Sequence, residues 1–268
     1  MTAALRRLGA TRPLEPAVAL VLRALCVRES ARFVARELAR SRALGAYHVR
    51  GSGLPVFIRH RSPDVVTLGE VFHRPDYEPP PDVDALLAAR GPALRILDLG
   101  ANVGLFGVFA AARWPRATVT AVEPDPANLA VLRRCVQAAG RGERWTVVAA
   151  AAAASGGSVP FEAGGASLSR IAPGGAARVA AVDALALLDG VDLLKMDIEG
   201  AEYAVIDDLT AARTPVGQFL VEYHHRFDGV GAARTAVSIR DLRRAGYRLF
   251  NISESAEEYS FLGDGGRD

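Results

Sequence analysis

The sequence predicts an α/β fold, a doubly wound and mostly parallel sheet with helices on both faces, and three observations predict it. Arg95 to Gly104 reads R-I-L-D-L-G-A-N-V-G, an apolar run that ends in a glycine-bearing turn and opens directly into the helical pattern Leu105 to Arg113. The next apolar run, Ala117 to Val122, ends at the carboxylate Glu123. From there strand-like and helix-like stretches alternate, as they do in βαβ units.

The turn selects the ligand. Gly100 and Gly104 let the backbone bend tightly and approach a bound group, and the helix that follows starts with unsatisfied N–H groups. The dinucleotide pattern G-x-G-x-x-G is not met, because Asn102 stands where the middle glycine belongs and would crowd a pyrophosphate. Asp98 adds negative charge that repels phosphate and suits a ligand with ammonium and sulfonium groups, such as S-adenosylmethionine. Glu123 lies where an acidic residue accepts both ribose hydroxyls of a nucleoside. Asp98, Gly100, Asn102, Gly104, Glu123 and Asp125 are therefore the candidate cofactor-binding residues, and methyl transfer is the expected chemistry. A nicotinamide dehydrogenase is the rival enzyme class, disfavoured by Asn102 and Asp98. A non-catalytic nucleoside-binding protein would have no need of the polar residues that follow later in the chain.

Four segments carry a family resemblance: D-L-G-A-N-V-G at Asp98 to Gly104, A-V-E-P-D-P-A-N at Ala121 to Asn128, L-K-M-D-I-E-G-A-E at Leu194 to Glu202, and V-E-Y-H-H at Val221 to His225. Together they resemble the FkbM family of S-adenosylmethionine-dependent methyltransferases. The glycine turn would suit nearly any class I methyltransferase, whereas K-M-D-I-E-G-A-E is the specific segment. The resemblance covers roughly residues 55 to 250. It implies a Rossmann-like sheet of seven strands, the last antiparallel, and oxygen on a small molecule, a sugar or a polyketide-type natural product, as the methyl acceptor. Nitrogen is the alternative acceptor.

In chain order, residues 3 to 44 hold two or three helical stretches, with Leu14, Val18, Val21, Leu22 and Leu25 on one apolar face and Phe33, Val34 and Leu38 on another. Leu54 to His60 reads as a strand ended by Ser62, Pro63 and Asp64, and Val65 to Phe72 as a short helix capped by the serine or the aspartate. Residues 69 to 77 contain Glu70, His73, Asp76 and Tyr77, in a segment that the resemblance places near the active site. After the stiff run Pro79 to Pro81 comes a helix, Val83 to Arg90. The division that follows is an N-terminal helical extension with a short β/α segment, residues 1 to 81, and an S-adenosylmethionine-binding domain, residues 82 to 268.

Within that domain the expected elements are strand Ile96 to Leu99, helix Val103 to Arg113, strand Thr118 to Val122, helix Pro126 to Ala139 and strand Trp145 to Ala149. The glycine- and serine-rich stretch from Gly156 to Ala177 breaks the alternation; Val159 to Phe161 and Arg178 to Ala180 could pair around it, with Ser167, Ser169 and Arg170 as candidate contacts. Strand Asp192 to Met196, helix Glu199 to Leu209, strand Gln218 to Tyr223, helix Val230 to Ala245 and strands Tyr247 to Ile252 and Glu258 to Leu262 complete the sheet. Glu199 and Glu202 are expected to face the dipole of their helix.

Ligands of open α/β sheets lie beyond the carboxyl ends of the strands, where Asp98, Glu123, Asp197, Glu222 and His224 fall. Glu222 and His224 share one side by period-two alternation, and a partly buried Glu222 needs a partner such as His224, Lys195 or a cation. His224, Asp197, Glu222 and Lys195 are the candidate catalytic residues. His224 is the best base by intrinsic pKa, oriented by Asp197 or Glu222. In the metal form of the same idea, Asp197, Glu222 and His224 hold Mg²⁺ and lower the hydroxyl pKa.

A formal net charge of +2 in 268 residues argues against nucleic acid and against an anionic membrane surface. The two cysteines, Cys26 and Cys135, form no metal-spaced pair, and a reduced, cytoplasmic protein is expected. The apolar stretches are too short to span a bilayer. The amphipathic N-terminal helices make a homodimer reasonable.

Overall fold

The computed structural model describes residues 16–74, 77–162, 170–171, 174–214, 216–227, 230–253 and 256–263. Expectations for Leu14, Asp76, Ser167 and Ser169 lie outside the described residues.

Seven strands form the central sheet: β3 (Arg95–Leu99), β4 (Thr118–Val122), β5 (Trp145–Val148), β10 (Leu193–Met196), β11 (Gln218–Glu222), β12 (Arg248–Ile252) and β13 (Glu258–Leu262). Their order is β12-β13-β11-β10-β3-β4-β5, parallel except for β13, which runs antiparallel to both neighbours. This is the seven-stranded architecture that the resemblance implies. The central strands read as near-continuous apolar runs because both faces of a parallel sheet are covered. Alternation along β3 sends Ile96 into one buried cluster and Leu97 and Leu99 into the other.

Helices α5 (Leu105–Arg113) and α6 (Pro126–Ala138) cover the first face, and α7 (Glu202–Ala212) and α8 (Gly231–Arg244) the second. The N-terminal elements, α1 (Pro16–Ala24), α2 (Ser30–Leu38), the hairpin β1 (Leu44–His48) with β2 (Pro55–Arg59), and α3 (Asp64–Phe72), belong to the first face. Val27, Phe33, Tyr47, Val56, Ile58 and Leu68 share one cluster with Ile96, Leu105, Val119 and Leu132, so apolar burial is continuous across residue 81. Helix α4 (Pro81–Ala89) starts with proline in the first turn, where its missing N–H is no loss.

Several elements differ from expectation for identifiable reasons. β1 has no counterpart among the elements expected from the sequence, because five residues of alternating burial give a weak pattern. Val18, Val21 and Leu25 of the expected α1 face are exposed, and only Leu22 of that set is buried. Asp64 does not cap α3: its carboxylate pairs with Arg59 instead. α7 starts at Glu202 rather than Glu199, because Glu199 has φ +52 and Gly200 φ +100, outside helical space. Between β5 and β10 the chain forms a second sheet of β6 (Ala151–Ala153), β7 (Gly157–Glu162), β8 (Arg170–Ile171) and β9 (Ala177–Asp183). There Val159 pairs with Val179 and Pro160 with Arg178, as the alternation suggested.

The close seating of α5 on β5 is testable. A Cβ on Gly107 would stand 2.0 Å from Trp145 Cζ2, so the ring fills the space a side chain needs. Gly107→Val should lower stability by about 1–3 kcal/mol through overpacking. The expected readout is a lower urea midpoint with an unchanged slope.

Candidate active site

The sheet order reverses between β3 and β10, so the loops that leave their carboxyl ends diverge and open a crevice. A cleft of about 500 Å³ lies there, lined by Gly100, Asn102, Glu123 and Asn128 on one side and Asp197, Ile198 and Glu199 on the other. Phe161, Arg170 and Ile171 of the second sheet contribute to its rim.

Close approach explains Gly100. Its φ is +77°, and a Cβ there would lie 1.7 Å from the Asp197 carbonyl oxygen. Gly104 is also left-handed, at φ +86, where the chain enters α5. Asn102 sits at φ +49, a conformation asparagine tolerates better than most residues, and its backbone N–H donates to Glu123 Oε2 at 2.8 Å. Its buried Oδ1 has no hydrogen-bond partner among the described residues, an acceptor left over on the cleft wall.

Glu123 is almost fully buried beneath the cleft. Its Oε1 accepts the backbone N–H of Asp125 at 2.8 Å and the side-chain amide of Asn128 at 3.2 Å. Burial raises its pKa to about 7, against the pull of those three donors. Asp125 is occupied differently from expectation: its carboxylate caps α6, accepting the N–H groups of Ala127 and Asn128, and it does not line the cleft.

Asp98 is likewise placed behind the cleft rather than in it. It is wholly buried, does not line the cavity, and sits in register with Lys195, whose Nζ is 3.4 Å from Asp98 Oδ1. Burial raises the Asp98 pKa, with Lys195 opposing. Lys195 donates to the Gly100 carbonyl at 2.8 Å and stands 3.4 Å from Asp197 Oδ2. Burial alone would lower its pKa, but Asp197 and Asp98 outweigh that and hold the ammonium charged.

His224, just beyond β11, is 2 % exposed and gathers the carboxylates of several loops. Its Nδ1 meets Glu202 Oε1 at 3.1 Å, and Glu202 also accepts the His224 backbone N–H at 2.8 Å. Its Nε2 faces Glu199 at 3.2 Å, Asp197 at 3.7 Å and Glu222 at 3.8 Å. Phe227 lies over the ring at 5.0 Å between centroids, and Arg170 covers Phe227 in turn. Asp197, Glu222 and His224 are thus brought together as expected, while Glu199 and Glu202 were assigned to the helix dipole. The residue that orients the ring through Nδ1 is Glu202, not Asp197 or Glu222. Without the fold, only the chain proximity of Glu199 to Asp197 could have suggested the difference.

Intrinsic pKa is a poor guide to His224 here. Burial would lower its pKa, but the hydrogen bond it donates to Glu202 and the charges of Asp197, Glu202 and Glu199 raise it to about 10. The imidazole is therefore protonated at neutral pH among these carboxylates. Glu199 is raised to about 7 by burial and then by Asp197, and Glu222 well above its usual value by Asp197 and then by burial. One ligand atom each from Asp197, Glu199 and His224 lie within 4.8 Å of one another, so the trio suited to a cation has Glu199 where Glu222 was expected. A second, small cavity adjoins this cluster, lined by Tyr77, Lys195, Asp197, Glu222, Glu258 and Tyr259.

Residues 98–249 match the family model described as the methyltransferase FkbM domain. The AMB antimetabolite synthetase AmbE of Pseudomonas aeruginosa is 30% identical over 234 residues, which cover 69% of this chain and 10% of AmbE. The chain therefore spans about a tenth of that relative's length. Methyltransferase FkbM from Methylobacillus flagellatus, a solved structure, overlays with a TM-score of 0.44 at 18% identity, covering 74% of this chain and 54% of the other. Cofactor-bound Rv0187 from MTB overlays with a TM-score of 0.41 at 15% identity, covering 74% and 85%. These overlays are too loose to bear on the chemistry of the site.

With Glu123 as the expected ribose acceptor, its raised pKa predicts pH-dependent nucleoside binding. The ionised carboxylate is the form that accepts two ribose hydroxyls, and it is present above about pH 7. Affinity for S-adenosylhomocysteine, measured by calorimetry, should be constant above pH 8 and fall by up to about tenfold per pH unit below 7. Glu123→Gln should bind weakly and lose that pH dependence.

Proposed function

The chain belongs to the FkbM family of methyltransferases and is an S-adenosylmethionine-dependent enzyme, and from that premise we propose that it methylates a hydroxyl oxygen of a small molecule, a sugar or a polyketide-type natural product. The observation that carries the proposal is the His224 cluster, which lies between the cofactor cleft and the second cavity and shares Asp197 with both.

The bound methyl donor supplies a carbon made electrophilic by its sulfonium. Glu123 accepts its ribose hydroxyls, Gly100 lets the Asp197 backbone close against the turn that faces it, and Asn102 Oδ1 offers a further acceptor. The carboxylates of Asp197 and Glu199 give the opposite wall a negative charge that suits a cationic ligand. Lys195 is a positioning residue that holds the floor of the cleft. The acceptor enters the second cavity, where Tyr77, Glu222 and Glu258 supply polar contacts. Enclosure by these walls brings acceptor and donor together in line.

A hydroxyl must lose its proton as it attacks, and a carboxylate of the cluster, Asp197, Glu199 or Glu222, receives it beside the His224 imidazolium. Glu202 keeps the imidazole oriented throughout. The donor set, one imidazole nitrogen and carboxylate oxygens with Glu202 behind the ring, also fits a divalent cation held by Asp197, Glu199 and His224. Such an ion, Mg²⁺ or one better matched to imidazole such as Mn²⁺, would lower the pKa of a nearby hydroxyl.

AmbE is an antimetabolite synthetase, and a place in natural-product biosynthesis fits the small acceptor proposed here. No helix among the described residues is long and apolar enough to cross a membrane. We place the protein in the cytoplasm, in keeping with buried, unpaired Cys26 and Cys135. Val18 and Val21, exposed on α1, and Leu25, exposed just after it, are the apolar surface that a homodimer would use.

His224→Gln should lower kcat on a hydroxyl acceptor by about 10²–10⁴-fold, the usual contribution of proton transfer, because the carboxylates that take the proton lose the cation that holds them together, while affinity for S-adenosylhomocysteine changes little. Unchanged turnover would remove His224 from the chemistry. Treatment with EDTA should lower turnover at least tenfold and Mg²⁺ or Mn²⁺ should restore it; EDTA-insensitive turnover assigns the proton to the protein groups alone.

A further inference from the structure

Arg59 lies on β2, outside the residues matched by the family model, yet its side chain reaches Asn128, which lines the cofactor cleft. Its Nε and Nη2 form a fork on Asp64, at 2.8 Å to Oδ2 and 2.8 Å to Oδ1, and its backbone N–H also donates to Oδ2 at 3.0 Å. Asp64 is wholly buried, so the guanidinium is fixed from behind. Nη2 then donates to Asn128 Oδ1 at 2.7 Å, across 69 residues of sequence.

That contact decides which way Asn128 points. An arginine can only donate, so the end of the amide that meets Nη2 must be its oxygen, and the NH₂ end must face Glu123. There Nδ2 donates to Glu123 Oε1 at 3.2 Å, while backbone N–H groups of Asp125 and Asn102 hold the same carboxylate. Without the arginine the amide loses one of the interactions that fix its orientation, the one that engages its oxygen end. Flipped, it would turn a carbonyl oxygen toward a carboxylate, and Glu123 would have to move.

We propose that Arg59 is a positioning residue for the methyl donor, acting through Asn128 to fix the Glu123 carboxylate in the orientation that accepts the ribose hydroxyls. The N-terminal hairpin is in this respect part of the cofactor site. The hairpin itself is anchored next to Arg59 by a buried chain in which Tyr47 Oη meets His60 Nε2 at 2.5 Å and His60 Nδ1 meets Glu37 at 2.6 Å. The inference rests on the reading of Glu123 as the ribose acceptor.

The test is calorimetry with S-adenosylhomocysteine and with its 2′-deoxyribose analogue, on wild type, Arg59→Lys, Asn128→Ser and the double variant. Arg59→Lys keeps the charge near Asp64 but loses the fork. Each single variant should raise the Kd for S-adenosylhomocysteine by about tenfold. The double variant should be no more than about twofold weaker than the weaker single, because both act on one path. For the deoxy analogue, which lacks a hydroxyl for Glu123, the variants should stay within about twofold of wild type. A Kd for S-adenosylhomocysteine unchanged in the folded variants, or an equal loss for both ligands, overturns the proposal. Asn128→Ser leaves the Arg59–Asp64 pair intact and carries the test if Arg59→Lys does not fold. Wild type that fails to bind S-adenosylhomocysteine overturns the ribose reading itself, and with it the inference, and that result is separate from the comparison of variants.

Discussion

The site depends on one buried ammonium. Lys195 bridges the two strands at which the sheet reverses, touching Asp98 on β3, the Gly100 carbonyl in the turn after it, and Asp197 at the end of β10. Burying Lys195 and Asp98 is costly, and the cost is tolerable only while each has the other as its partner. The two loops that line the cleft are consequently held at one separation. The Asp197 carbonyl stands so close to Gly100 that no Cβ fits. The glycine turn, which looks like a flexible cradle in the sequence, is a rigid edge set by a cation on the neighbouring strand.

This constraint also explains which parts of the site are legible in the sequence. Ile96 to Leu99, Thr118 to Val122 and Gln218 to Glu222 announce themselves as strands because apolar runs between helical patterns are local signals. Glu123 follows from its place after the second of those strands, and even the extra pairing of Val159 with Val179 follows from alternation on either side of a glycine-rich loop. The role of Asp98 does not follow. Its sequence position suits a ligand ammonium, but the ammonium it meets belongs to Lys195, 97 residues away, through a strand register that no local pattern encodes. The link between Asn128 and Arg59 is hidden for the same reason: Asn128 reads as a helix-capping residue or part of the adenosine rim and Arg59 as a strand end, and their joint meaning appears only when β2 packs beside α6.

Glu199 and Glu202 are a subtler case. Acidic residues early in a helix are ordinarily explained by the dipole, and that explanation is sufficient without any fold. Two backbone facts displace it. The left-handed conformations of Glu199 and Gly200 delay the helix by three residues and turn Glu199 toward Nε2 of His224, while Glu202, now at the first helical position, is buried against Nδ1. A histidine chosen for its ordinary pKa is thereby surrounded by carboxylates and becomes a cation. Its chemistry belongs to the cluster, in which charge on any one member sets the protonation of the others.

The N-terminal segment is the part of the chain for which the family match says least, and its packing shows why it cannot be treated as an appendage. Phe33, Tyr47, Ile58 and Leu68 bury themselves in the same cluster as Ile96, Val119 and Leu132, so removing them would expose one face of the central sheet. Apolar contact of this kind fixes where β2 lies but is nearly indifferent to small rotations. The polar path from Asp64 through Arg59 to Asn128 is directional, and directional bonds are what convert packing into the placement of a carboxylate. A segment that supplies both has a reason to persist beside a catalytic domain whatever acceptor that domain methylates, because it acts on the methyl donor's side of the cleft, the side common to every acceptor.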